Sequence, residues 1–179
     1  AVTAVKQRVA GFARRSDIAH TPRMRPVVDS TLILPVPPGQ WSPPTTAVSV
    51  GGIHLDPKRE LHITLIGGEL MRELRATFGD SRTRTAVTTA YDEHDWHFDR
   101  TGQYLLLRKP IAGRGVAHSI IERIELPAMA PFHHRLGVLL GRELPVPPSH
   151  VTLFVAGRPR GIGVASDAAL RALQVRAVA

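Results

Sequence analysis

The chain of 179 residues contains no cysteine, so neither a disulfide nor a thiolate metal site is available to it. A chain of this length folds without such staples, and its 43% hydrophobic content is enough to build a core. The composition suits a reducing cytoplasm, which is the expected location. No apolar run approaches the length needed to cross a bilayer. Residues 1–15 alternate basic and small apolar side chains without the apolar h-region or cleavage site of a signal peptide. No membrane partner is therefore expected, and no obligate protein partner is evident. Acidic residues are in short supply, 15 against 23 Lys and Arg, which leaves a net charge of +8. Such a balance favours polyanionic partners, nucleotides and nucleic acids above all. A carboxylate cluster at metal-ligand spacing is missing, and Gly161-Ile162-Gly163 is too short and badly placed for a dinucleotide fingerprint. Neither a metal nor a cofactor is expected.

Hydrophobic spacing and turn residues divide the chain into short elements. A helix is predicted over Val5 to Arg14, with Lys6, Arg8, Arg14 and Arg15 marking a basic surface helix or flexible arm. A strand follows at Thr31 to Val36, and residues 35–52, rich in Pro, Gly, Ser and Thr, read as largely irregular. Leu61 to Ile66 is a short apolar strand ended by Gly67-Gly68. Leu70, Leu74 and Phe78 give Glu69 to Phe78 helical spacing. Thr85 to Tyr91, rich in Thr and Val, reads as a strand. Trp96 to Arg100 and Gln103 to Lys109 read as a hairpin turning at Thr101-Gly102. Ser119 to Leu126 alternates like a strand, and Pro131 to Leu140 is a helix with proline in its first turn. Val151 to Ala156 is a strand, and Ser166 caps a short helix holding Leu170 and Leu173. Interspersed helices and hairpin-like strands predict an α+β fold with antiparallel sheet.

One short pattern occurs twice. Leu61-His62-Ile63-Thr64-Leu65 matches Ser149-His150-Val151-Thr152-Leu153 at the histidine, the β-branched spacer, the threonine and the following leucine. With nine histidines and thirteen threonines, a single His-x-Thr would mean little, but none of the other seven histidines has Thr or Ser two positions later. Side chains at i and i+2 of a strand share a face, roughly 7 Å apart along it. Each motif thus presents an imidazole and a hydroxyl to one cleft while its apolar residues face the core. Two such strands brought together surround one point with two imidazoles and two hydroxyls. A phosphate placed there would take hydrogen bonds from Thr64 and Thr152. His62 and His150 would serve as general acid and base, since histidine titrates near neutrality and needs no metal for this work.

This motif pair resembles that of the two-histidine phosphoesterase superfamily, which includes bacterial RNA 2′,3′-cyclic phosphodiesterases, also called 2′-5′ RNA ligase-like proteins. His62 and Thr64 match the first family motif, and His150 and Thr152 the second. The resemblance implies two pseudo-symmetric α+β lobes with antiparallel sheets facing a central cleft and helices outside. Residues 1–29 would form an N-terminal basic helix or arm and residues 30–179 the bilobal domain. It also implies an enzyme, a phosphodiesterase acting on nucleotide or RNA 2′,3′-cyclic phosphates or 2′-5′ linkages. Degradation of cyclic oligonucleotide signals is the alternative within the same chemistry. A non-catalytic RNA- or nucleotide-binding module is the alternative outside it.

Other residues have competing structural readings. Tyr104 and Arg108 share a strand face and are candidates for stacking a base and binding phosphate. Arg158 and Arg160, just after the second motif strand, are further phosphate-binding candidates, with solvated loop arginines as the simpler reading. The run Asp92-Glu93-His94-Asp95-Trp96-His97 carries metal-capable groups, but a solvated shoulder with Trp96 in the core is the simpler reading. His133 and His134, adjacent in a helix, diverge by about 100° and do not face one site together.

Overall fold

A computed structural model describes residues 24–113 and 115–178; the helix expected at Val5 to Arg14 lies outside them. Nine strands form one antiparallel sheet, with four helices among the described residues. In chain order these are β1 (Val27–Val28), β2 (Leu32–Pro35), β3 (Val48–Val50), β4 (Ile53–Pro57), β5 (His62–Ile66), α1 (Gly68–Phe78) and α2 (Asp80–Asp92). They are followed by β6 (Asp99–Ile111), β7 (Gly115–Glu125), α3 (Met129–Leu140), β8 (His150–Ala156), α4 (Asp167–Leu173) and β9 (Gln174–Val178). The sheet runs β1-β2-β5-β8-β7-β6-β9, and the β3–β4 hairpin attaches through β4 to β8. The mixed α+β class expected from the sequence is what is found. Among the described residues the first strand is β1, which pairs with β2 through Val27 and Val28.

The sheet has two unequal faces. On one, Leu34, Ile63, Val151 and Leu106 pack against Met71 and Leu74 of α1, Val87 and Tyr91 of α2, and Phe132 and Leu136 of α3. Ile63 and Val151 are fully excluded from solvent, which stabilises the fold by about 1.5–3 kcal/mol for each side chain. On the other face a smaller cluster covers only the β6–β7 half, where Leu105, Leu107 and Ile121 pack under Ile162, Val164 and Leu170. Ser166 fixes the start of α4 by accepting a hydrogen bond from the Ala169 amide at 3.1 Å, as its capping role requires. Beyond this cover, on β5 and β8, the second face stays half-exposed.

Four local expectations are corrected. Residues 80–92 are helical, not the strand expected at Thr85 to Tyr91. Their buried positions Thr83, Val87, Ala90 and Tyr91 recur at helical spacing, and packing on the main core overrides the weak helix propensity of Thr and Val. The hairpin expected at Thr101-Gly102 is instead one long strand, β6. Gly102, at φ 71°, lies in a register shift against β7 between Arg100 and Tyr104, and a bulge of this kind bends a strand without ending it. Residues 94–98 are irregular; Trp96 is buried there, stacked on Tyr91 at 4.8 Å and donating its indole N–H to the Tyr91 carbonyl at 2.8 Å. Within the stretch read as irregular, Val48–Val50 forms the β3 side of a hairpin that reverses at Gly51-Gly52, both at positive φ.

Candidate active site

The two motif strands are neighbours in the sheet, with Ile63 directly opposite Val151. Because the pair is antiparallel, His62 falls across from Thr152 and Thr64 across from His150. The two imidazoles then occupy a diagonal, with backbones roughly 7–8 Å apart. All four side chains are half-buried, while the spacers Ile63 and Val151 point to the main core. Strand alternation thus separates an anchoring face from a chemical face residue by residue.

The likeness of the motifs extends into the backbone. Strand β5 shifts register against β2 between its partners for Thr64 and Ile66, and β8 shifts against β7 between its partners for Thr152 and Phe154. Each shift follows the motif threonine and turns two consecutive apolar residues, Leu65-Ile66 and Leu153-Phe154, into the same core. His133 of α3 reaches the first of these shifts, its Nε2 donating to the Leu65 carbonyl at 2.8 Å. It is buried behind the motif face, while His134 is exposed.

The imidazoles are held differently. His150 Nδ1 lies 2.8 Å from the Pro148 carbonyl. A carbonyl only accepts, so Nδ1 carries the proton and, in the neutral ring, Nε2 carries the lone pair. Burial lowers the proton affinity of His150, the Pro148 carbonyl opposes this, and Arg123 lowers it again. Arg123 pairs directly with His150 across β7 and β8. Among the described residues no hydrogen bond holds the His62 ring. Its proton affinity is also lowered, first by burial, then by Lys58 and by His150, with Glu60 opposing. Protonation of one imidazole therefore disfavours protonation of the other, the condition under which an acid and a base coexist in one site.

Thr152 is braced from above. The loop after β8 crosses it at Gly161, whose φ is 74° and where a Cβ would lie 3.1 Å from Thr152 Cγ2. The same loop is anchored by the Ile162 amide donating to Ser119 Oγ at 3.1 Å. Only glycine fits this combination of positive φ and close approach.

Of the other candidates, Arg158 sits exposed on this loop near the motif strands. Tyr104 and Arg108 do not join the motifs. Tyr104 pairs with Glu122, which pairs with Val151, so it shares the row of the inward-facing spacers. There it is half-buried beside Arg100, and burial with the Glu122 carboxylate pushes its phenol up to about 12. The fully buried Glu122 accepts two hydrogen bonds from Arg100, at 3.1 and 2.6 Å, and one from the Gly102 amide, while Arg100 lies 4.0 Å over the Trp41 ring. Arg108, on β6, is exposed and pairs with His118; it lies three strands from β5. Lys58 and Arg123 were not singled out in the sequence, although the alternation of β7 already puts Arg123 on one face with Ile121. Among the described residues no three His, Asp or Glu side chains converge as a metal site, and no helix is long and apolar enough to cross a membrane. Compared with protein-family models, curated proteins and solved structures, the chain matches none.

Proposed function

We propose that this chain is a metal-independent phosphodiesterase acting on nucleotide or RNA 2′,3′-cyclic phosphates or 2′-5′ linkages. The observation that carries the reading is the pairing of Ile63 with Val151, which puts both His-x-Thr motifs side by side on one half-exposed face. A phosphodiester seated between the strands meets the Thr64 and Thr152 hydroxyls as donors. Arg123, paired with His150 across β7 and β8, and Lys58, whose charge acts on His62, offset the charge that builds on the phosphoryl oxygens. In this scheme the neutral His62, whose ring no hydrogen bond fixes among the described residues, takes the proton of the attacking water. His150 donates from Nε2 to the leaving ribose oxygen, and the Pro148 carbonyl stabilises its protonated form. Water becomes the new P–OH, and the cyclic ester opens to a monoester with one ribose hydroxyl restored.

A panel of 2′,3′-cyclic nucleotides, 2′-5′ oligonucleotides and cyclic oligonucleotides, assayed with and without EDTA, tests the reading. Turnover of a member of the first two classes should survive chelation. Loss of all turnover in EDTA would overturn the metal-free mechanism. Cleavage confined to cyclic oligonucleotides would move the substrate to signalling molecules, and binding without cleavage would make the chain a nucleotide-binding module.

A further inference from the structure

Beside the motif face, where β4 leaves β8, a groove of about 540 Å³ is lined by Lys58, Arg59 and Glu60 on one wall and by Gly157, Arg158 and Pro159 on the other. Its floor comes from the ends of the two strands, paired at Asp56 with Val155. The walls are tied together, because Lys58 Nζ donates to the Pro159 carbonyl at 3.1 Å and its amide donates to the Leu153 carbonyl at 2.8 Å. An ammonium has three donors, so this tether leaves two for a ligand. Arg59 and Arg158 are exposed and have no carboxylate partner among the described residues. Against the three cations Lys58, Arg59 and Arg158 the groove holds two acids, Glu60 and Asp56, the latter 3.6 Å from His54.

The position of the groove matters as much as its charge. Along β8 the step from Thr152 to Val155 covers roughly 10 Å at the strand rise, a reach suited to a neighbouring nucleotide. Lys58, which borders the groove, also donates its amide to the carbonyl of Leu153, the residue after Thr152, so the groove abuts the second motif strand. An anion held by Arg59 and Arg158 would thus lie next to the scissile phosphate.

We infer that this groove is a second phosphate subsite, binding the backbone of the nucleotide next to the scissile phosphate, and that the substrate is therefore a single-stranded oligonucleotide rather than a mononucleotide. The inference rests on the proposed phosphodiesterase reading for its substrate class. Guanidinium groups bind phosphate bidentately and without sequence preference, so the subsite selects for chain length and not for base.

The test compares a mononucleotide 2′,3′-cyclic phosphate with a short oligoribonucleotide ending in the same group. The enzymes are the wild-type chain and a double variant, Arg59→Ser with Arg158→Ser, both positions being exposed. The wild type should favour the oligonucleotide by at least about tenfold in kcat/KM, with an advantage that shrinks as salt rises. The double variant should lose most of that ratio. In parallel, fluorescence anisotropy of a 3′-phosphate oligonucleotide reports binding without turnover, and the double variant should weaken it several-fold. An unchanged oligonucleotide-to-mononucleotide ratio together with unchanged anisotropy would overturn the subsite while leaving the phosphodiesterase reading intact. Weakened anisotropy in a chain that turns over nothing would keep the subsite and sink the phosphodiesterase reading.

Discussion

Strands β5 and β8 each carry a histidine and a threonine two positions apart, half-buried on one face, with an apolar spacer sealed in the core and a register shift just after the threonine. In these respects they are interchangeable. They part at the imidazoles, where His150 is pinned by the Pro148 carbonyl, whereas His62 has no hydrogen bond fixing its ring among the described residues and is depressed in part by Lys58. Features that aim side chains at a shared point are duplicated, whereas features that decide which ring holds a proton are not.

Removing either imidazole should have the largest effect. His62→Ala and His150→Ala should each lower kcat by about 10²–10⁴-fold, the usual contribution of a positioned acid or base. Both variants should keep the wild-type far-UV circular dichroism, since neither ring belongs to the main core. Near-wild-type turnover in either variant would falsify the assignment. Next come the hydroxyls. Thr64→Val and Thr152→Val keep the β-branched shape that a strand favours and delete one hydrogen bond to a charged oxygen. Such a bond is worth about 1.5–3 kcal/mol, so kcat/KM should fall roughly tenfold to a hundredfold. Similar losses at the two positions would extend the equivalence of the strands to substrate binding. A loss at only one would break it.

How much of this was legible in the sequence follows from where each signal lies. The motif strands, α1, α3 and the Ser166-capped α4 were readable because periodicity, a proline in the first turn and a capping serine act locally. The pairing of β5 with β8 was not, because register depends on the whole sheet and no local signal names a strand's neighbour. Helix α2 was hidden by its Thr and Val content, although the buried spacing Thr83, Val87, Ala90 was present all along. The β6 hairpin was misplaced because a glycine between two apolar runs marks a turn and a bulge alike. Strand β9, four of whose five residues are exposed, carries no alternation to find. Tyr104 looked like a ligand-binding aromatic because strand alternation gives the face a residue shares but not which face meets substrate. The roles of Lys58, Gly161 and the Pro148 carbonyl depend on contacts between separate segments and could not be read from spacing.

The difference between the imidazoles can be measured by pH, and here the expected effects are smallest. Both histidines titrate below the ordinary value near 6.5, so kcat/KM should peak on the acid side of that value. Its acidic limb reports the base, and its alkaline limb the acid. Lys58 depresses His62, so Lys58→Met should raise His62 and move the acidic limb upward. Arg123 depresses His150, so Arg123→Met should raise His150 and move the alkaline limb upward. If the two substitutions move the opposite limbs, the acid and base exchange places. If both move the same limb, the two rings titrate as one unit and the strands are equivalent after all. The same depression has a sign for folding. The unfolded histidines take up protons near pH 6.5 before the folded ones do, so stability should be full above that pH and fall as pH drops toward the folded values. Denaturant midpoints measured down that range should decline less in His150→Ala than in the wild type, because one half-buried imidazole would no longer resist protonation.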